Sequence, residues 1–518
     1  MMTDSMMTMS DPTLSNSVLP WLLFIPVIAG FLAWASERIH RQAPRWVSLA
    51  GMVLVGVLTL SQWPSVYPES GWWAQFQGEW VPAWGITFHL AMDGLSGLMV
   101  LLAALLGAIA VAASWNEVQK SVGLFHLHLS LMLAAVVGIF LAVDLFLFFV
   151  CWEVMLVPMY FLITLWGVES VSGIGRANAA IKMFIYGQGS GLLMLLGMLG
   201  LVFFHFQNTK VLTFDYDQLK GTSLAPEVAW FLMLGFFMAF VVKLPAVPFH
   251  GWLPDAHTHA PTGASVDITG LLIKTSAYGI IRFCLPLFPE ASREFAEVAM
   301  WIGVVTIIYG GVLAYGQTHI KRLIAYISIS HMGFILIGIY AFNELALQGV
   351  VVMMVAAALS NAALFVLAGQ LYERLGTFDM RQMEGLWSRL PTLPPIILFF
   401  TCATLGLPGL GNFIGEFMVL FGAFKVAPVI TAISTLGMVL GIVFSLALVH
   451  RTIYGPSASE APLPAPNFRE QSMLAVMMVL LLVIGLFPQP LLDSSAGAIA
   501  QVKQSMVPVT ATASTLGE

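Results

Sequence analysis

Apolar runs long enough to cross a bilayer recur along the whole chain, separated by short polar turns. A helix needs about 20 mainly apolar residues to cross the hydrocarbon, whereas a barrel strand needs roughly ten and alternates. The runs fall at 18–36, 46–62, 86–114, 123–143, 145–166, 179–206, 228–249, 263–286, 297–317, 322–341, 345–370, 393–424, 429–450 and 472–492. They predict an all-α polytopic membrane protein of about 14 transmembrane helices. Asp144 alone separates the fourth run from the fifth, in a tight turn. Residues 1–17 are polar and Met-rich, without the basic region and cleavage site of a signal peptide. They read as a disordered lead, or as a start assigned too early.

Two of these helices are interrupted by proline, and each carries a lone ionisable residue beside the interruption. The seventh reads Val241-Val242-Lys243-Leu244-Pro245-Ala246-Val247-Pro248. The twelfth reads Leu405-Gly406-Leu407-Pro408-Gly409-Leu410-Gly411-Asn412-Phe413-Ile414-Gly415-Glu416. Proline removes a helix hydrogen bond, and hydrocarbon cannot satisfy the freed carbonyl. A broken stretch must therefore face protein or a water-filled cavity. A charge at the bilayer centre costs about 2.5–3.5 kcal/mol or more. Paired breaks in two halves of one chain point to a transport pathway. Helices 4–8 (123–286) and 9–13 (297–450) make two five-helix units. Five is odd, so the second unit enters the membrane upside down relative to the first. This predicts an inverted repeat that rests on spacing and breaks alone. Helices 1–3 occupy 18–114, and 451–518 holds a loop, helix 14 and a C-terminal tail.

Loop charge orients the spans. Thirteen cations (Arg38, Arg41, Arg45, Lys120, Arg176, Lys182, Lys321, Arg322, Arg374, Arg381, Arg389, Arg451 and Arg469) fall on one side. Five (Lys210, Lys220, Arg293, Lys425 and Lys503) fall on the other. The richer side is expected in the cytoplasm and both termini outside. Loop 62–85, with Glu69 and Glu79 and no Lys or Arg, fits an outside position. Composition agrees with the membrane reading: 59% of residues are hydrophobic and 9% charged, against about 25% charged in soluble domains. The net charge of −6, spread over loops, argues against nucleic acid. Cys151, Cys284 and Cys402 are isolated in apolar runs, with no CxxC or cluster spacing. No Gly-rich nucleotide motif opens a helix after a strand. No cofactor and no redox centre are expected in this chain.

Four charges inside the spans are the candidate chemistry. Glu153, in Phe148-Phe149-Val150-Cys151-Trp152-Glu153, has no sequence neighbour to pair with, and Lys243 is its natural partner. Burial favours the neutral form of an acid or a base, and an opposite charge favours the charged form. A buried Glu–Lys pair is then a two-state device, and once broken it can pass a proton. A static ion pair between helices is the plainer alternative. Lys274 lies mid-helix beside Gly270, Thr275 and Ser276, which leave room and polarity for water; the alternative is a snorkelling lysine. Glu416 is the second unit's counterpart of Lys243 with reversed charge, or else a helix cap. His331, inside helix 10, is a proton relay or a satisfied core histidine. The segment Pro248 to Pro261 carries His250, Asp255, His257 and His259. A metal site is disfavoured there because the ligands are not on one regular element and no thiolate joins them. A polar proton entry that includes His250 is the better reading. Asp267 is placed near the same end of helix 8.

Several of these segments resemble a known family. His250-Gly251-Trp252-Leu253-Pro254-Asp255-Ala256-His257, with Ala260 to Val266 and Lys274, resembles the antiporter-type proton-channel signature of respiratory complex I. Mrp-type cation/proton antiporters and membrane-bound hydrogenases share that signature. Gly411 to Phe417 with Glu416, Phe148 to Tyr160 with Glu153, and Lys321 to Gly333 with His331 are similar to the subunit M group, where subunits L and N carry lysine in place of Glu416. The resemblance spans roughly residues 18–495. It implies a proton-translocating membrane subunit of NADH:quinone oxidoreductase, moving protons from cytoplasm to periplasm. Glu153, Lys243, Lys274 and Glu416 would be the relay, with His331 and His250 secondary. Subunits L and N would flank the chain in the inner membrane, and NADH and quinone would be used by other subunits. An Mrp-type antiporter or membrane-bound hydrogenase subunit is the alternative, and an inert membrane scaffold is a third. Many relatives carry histidine in the middle of helix 11, where this chain has Ala357; water, or Ser360 and Asn361, would have to fill that gap. Gly263 and Ala264 are also swapped relative to the usual signature, with little effect expected.

Overall fold

The computed structural model describes residues 17–67, 71–169, 174–383, 385–455 and 463–506. The N-terminal lead apart from Ser17, Glu69 and the end of the C-terminal tail lie outside the described residues. Among the described residues, thirteen helices are long and apolar enough to cross a membrane. The shorter helices Leu393–Thr404 and Gly411–Phe424 are consecutive and occupy the single run read at 393–424, which makes the fourteenth span. The protein is an all-α polytopic membrane protein.

Both breaks are present where the prolines place them. The seventh span, Pro226–Lys243, ends at the lysine, and helix resumes only at Trp252–His259. The twelfth stops at Thr404 and restarts at Gly411, with Gly406 and Gly409 at φ 78° and 96° in between. Five spans run from Val122 to Leu287 and five from Ala296 to Thr452, and the fourth of each set is the broken one.

The eighth, tenth and eleventh spans (Thr262–Leu287, Ile320–Tyr340 and Glu344–Leu375) are wholly enclosed by the others. The outer helices instead turn large apolar side chains outward, such as Trp21, Phe31 and Leu32 on Val18–Ser36. Apolar surface facing outward is what a bilayer solvates, so the protein's interior can be polar where it needs to be. The eighth span is also irregular. Two π-helical stretches, Ile268–Leu272 and Ile280–Cys284, flank the α-helical turn pair Ile273–Gly279. A π-bulge re-aims side chains and frees backbone groups, and commonly sits at functional sites.

Two features depart from the sequence reading. The run at 86–114 begins as a strand: β2 (Ile86–Met92) pairs antiparallel with β1 (Ala74–Val81). Asp93 explains the boundary, since its carboxylate accepts from the Ser96 amide in a capping box and starts helix Gly94–Ala113 there. Gly85 at φ 65° makes the turn. The hairpin pins the ends of neighbouring spans. The Val143 amide donates to the His89 carbonyl at 3.0 Å and the Phe214 amide to the Gly85 carbonyl at 3.1 Å. The Thr87 amide donates to Asp144 Oδ2 at 2.9 Å. Asp144 does cap the tight turn, accepting from Phe146 and Leu147. Burial pushes its carboxyl up, against the pull of those three amides. The second departure is at the end. The run at 472–492 stops at Leu486, and Pro488 opens a separate helix, Gln489–Ser505, packed against the third and eleventh spans.

Arg282 and Asp93 join the eighth span to the head of the third in a buried ion pair, with the guanidinium 4.8 Å from the Trp72 ring centre. Removing one partner of such a pair costs about 3–5 kcal/mol because the other charge stays buried. Arg282→Met should lower the melting temperature of the detergent-purified protein strongly, and adding Asp93→Asn should restore much of the loss, since asparagine still caps the helix. Equal melting of the single variant and the unaltered protein would show that this pair holds nothing.

Candidate functional site

Glu153 sits in the last turn of Leu145–Val154, just before the fifth span is hitched at Met155 ahead of Leu156–Trp166. Its two carboxylate oxygens are buried without a hydrogen-bond partner, although Gln188 lies close by. The carboxylate rests on Gly191 of the sixth span, where a Cβ would collide with Oε1. Lys243 is the last residue before the seventh span's break and is buried. Its ammonium donates to the Trp152 carbonyl at 3.3 Å and lies 3.5 Å from the centre of the Trp152 ring. Lys243 is thus beside Glu153 and acts on it electrostatically, yet its contacts are with Trp152. The expected Glu–Lys contact is open in this structure.

A second group lies in the enclosed interior. The Lys274 ammonium donates to the Thr269 carbonyl at 2.8 Å. The π stretch over 268–272 exposes that carbonyl, so the irregular helix and the buried charge satisfy each other. Thr269 Oγ1 is 2.9 Å from Ser328 Oγ, which carries the polar line to the tenth span. One turn further, His331 is within electrostatic reach of Lys274. His331 Nε2 faces the Thr404 carbonyl at 3.2 Å and Glu416 Oε1 at 3.6 Å. Glu416 is therefore no helix cap: Leu410 holds that position, and Glu416 lies inside Gly411–Phe424 facing back across the break. Its Oε2 lies against Gly406, where a Cβ would come within 2.7 Å. On the eleventh span, Asn361 Nδ2 is 3.5 Å from His331 Nδ1, and Ser360 Oγ accepts from Asn412 Nδ2 at 3.0 Å. Asp267, Ser276, Asn361 and Asn412 keep buried polar oxygens without a protein partner.

The segment after the seventh break resolves differently from its sequence reading. Trp252–His259 is a regular helix, yet its polar side chains diverge. Asp255 accepts from Lys182 at 2.8 Å and from Arg322 at 2.7 Å. His259 has its two ring nitrogens on the Val168 and Ile174 carbonyls, each at 2.7 Å. His257 stacks on Phe365 at 4.2 Å, and His250 meets Tyr309 edge-on at 5.1 Å. Among the described residues no group of three or more His, Cys, Asp or Glu could hold a metal ion. His250 stands apart from the Lys274–Glu416 group.

Three buried cations escape the sequence reading: Arg45, Lys321 and Arg282. Lys321, counted there among loop charges, is fully buried and donates to the Ala260 carbonyl at 2.8 Å. Arg282 lies eight residues after Lys274 in an otherwise apolar run, and that isolation is its signal in the sequence.

The fit of Glu153 to Gly191 has a direct check. Gly191→Ala should push the carboxylate from its seat and change severalfold the rate at which a hydrophobic carbodiimide labels Glu153 in membranes, with Glu153→Gln as the blank. An unchanged rate would mean that Gly191 does not seat it.

Comparison with known proteins places these features. The family described as NADH:quinone oxidoreductase/Mrp antiporter, transmembrane, matches residues 142–445, which hold both breaks. NADH-quinone oxidoreductase subunit M of Pseudomonas aeruginosa is 56% identical over 496 residues, covering 94% of this chain and 97% of that protein. The same subunit of Escherichia coli K12 is 54% identical over 500 residues, covering 95% and 98%. A chain in the structure of respiratory complex I from Thermus thermophilus with bound NADH superposes with a TM-score of 0.84 at 28% identity, covering 95% of this chain and 100% of that one. The chain belongs to the NADH:quinone oxidoreductase/Mrp antiporter membrane family, and within it to the subunit M group of NADH-quinone oxidoreductases.

Proposed function

We propose that this chain translocates protons across the inner membrane, from cytoplasm to periplasm, as a membrane subunit of NADH:quinone oxidoreductase. In this reading NADH and quinone are handled by other subunits, no redox centre lies in this chain, subunits L and N flank it, and both termini are periplasmic. The two five-span sets act as inverted half-channels. The observation that carries the reading is the line of buried side chains from Lys274 through Thr269 and Ser328, then His331, to Glu416, the first four on spans wholly enclosed by the others.

The steps follow from what each group can do. Lys243 has two places to go: the Trp152 carbonyl and ring it now occupies, and the unpartnered Glu153 carboxylate beside it. Energy released elsewhere in the complex biases that choice, and the movement of one positive charge near the seventh break alters the field on Lys274. Lys274 is held by a neutral carbonyl, with no carboxylate partner, so its proton is free to leave. The hydroxyls of Thr269 and Ser328 and the imidazole of His331 are groups that can both accept and release a proton. Glu416 receives it and passes it outward. Buried polar atoms without protein partners are normally hydrated, so Ser276, Asn361 and Asn412 supply the positions for bridging water. The loop cations on the opposite face (Lys182, Arg322) are held by Asp255 and stay out of the relay.

Variants in vesicles carrying the assembled complex test this, with proton pumping normalised to the amount of complex. Lys274→Ala and Glu416→Ala should each lower pumping by roughly tenfold or more, the scale of a lost acid–base group. Glu416→Lys, which keeps a protonatable side chain, should be tolerated better than alanine. Glu153→Gln should also impair pumping. Full pumping by all four would leave only an inert scaffold. Sodium-driven proton movement without NADH would favour a cation/proton antiporter instead.

A further inference from the structure

Asn361 is an amide fully buried in the eleventh span, among Ala357, Ala358, Ala362 and Ala363. A buried amide in such a setting is costly unless its polar atoms are used. Only one of them has a partner: Nδ2 lies 3.5 Å from His331 Nδ1, while Oδ1 is buried and unpartnered. The geometry at the other ring nitrogen decides what that contact means. His331 Nε2 faces the Thr404 carbonyl at 3.2 Å, and a carbonyl can only accept. Nε2 therefore carries the hydrogen, Nδ1 is a bare lone pair, and Asn361 Nδ2 is the donor that meets it.

We propose that Asn361 is a positioning residue for proton transfer through His331, serving both tautomers of the ring. The inference rests on the relay reading given above. With neutral His331 protonated at Nε2, the Asn361 amide donates to Nδ1 and holds the ring with its N–H toward Thr404 and Glu416. A proton arriving at Nδ1 displaces that long contact and gives the imidazolium. Nε2–H then passes to the Glu416 carboxylate, the Nε2–H bond breaking as the O–H bond forms. The ring is left protonated at Nδ1. A half-turn of the amide now presents the unused Oδ1 to Nδ1–H, so the second tautomer is also held. Water-mediated tautomerisation, which carries the Nδ1 proton round to Nε2 of the same ring, resets the cycle with no proton returned to the entry side. An isosteric leucine serves neither tautomer and an aspartate serves only one. The side-chain amide supplies a donor and an acceptor on one short arm, and Oδ1, which no protein group uses here, is open to water or to Nδ1–H in turn.

The test uses the whole complex in membrane vesicles. Coupled turnover and proton pumping are each divided by NADH oxidation with an artificial acceptor, which reports assembly. Asn361→Leu should lower both severalfold at normal assembly, and Asn361→Gln, which keeps donor and acceptor, should restore most of the loss. A purely structural role predicts the reverse order, because glutamine is the bulkier and more polar intruder. Should the leucine variant fail to assemble, Asn361→Ala is read in the same way. Normal pumping by the leucine or alanine variant, or a glutamine variant no better than leucine, overturns the proposal while Glu416→Ala remains defective. Normal pumping by Glu416→Ala overturns the relay reading itself, and this inference with it.

Discussion

A hydrogen bond from a buried ammonium to a backbone carbonyl recurs at three irregular places in this helix bundle. Lys243 donates to Trp152, Lys274 to Thr269 and Lys321 to Ala260. Each carbonyl stands at a disturbed place: the hitch at Met155, the π stretch of the eighth span, and the end of the short helix after the seventh break. Neither lipid nor helix satisfies such a carbonyl, and an unsatisfied one costs several kcal/mol in hydrocarbon. The lysines repair the backbone and in return are held without a counter-ion. A carboxylate would fix the charge in place, whereas a neutral oxygen orders the ammonium and leaves its proton transferable.

The polar contacts divide by depth. Near the two faces they are short and paired: Asp255 with Lys182 and Arg322, Arg374 with Glu470 at 2.6 Å, His89 with Asp215 at 2.6 Å. In the enclosed middle Lys274 and Thr269 are held as closely, at 2.8 and 2.9 Å, but around His331 the contacts lengthen to 3.2–3.6 Å, and several oxygens have no protein partner at all. The hairpin β1–β2 and the Arg282–Asp93 pair belong to the first kind and fasten the ends of spans together. A bundle clamped at its faces and slack around His331 leaves freedom of movement to the groups proposed to exchange protons.

The sequence carried the fold well because its strongest signal, apolar length, is the property the bilayer tests. Fourteen spans, the turn at Asp144 and the breaks beside Lys243 and Glu416 all follow from it. The hairpin did not, because Ile86 to Met92, although it holds Thr87 and His89, is apolar enough to merge with the helix it precedes, and only the cap at Asp93 separates them. The sequence also found Lys274, His331 and Glu416 as isolated polar residues, and the structure brings them together. It could not tell which partner each would choose. Charge alone pairs Lys243 with Glu153, but a desolvated ammonium finds a carbonyl and an indole face as readily. The π stretches were invisible because the eighth span is buried on every side and so has no hydrophobic period for them to shift.

The two acids share one further trait. Glu153 lies on Gly191 and Glu416 on Gly406, each with a single hydrogen where any other residue would carry carbon. These positions are chemically mute and exchange nothing with a proton. Their tolerance to replacement should nevertheless match that of the acids they seat, since even a methyl group would unseat the carboxylate. A survey of natural variation that weighed only reactive side chains would overlook them, and a damaging substitution there would look conservative on paper.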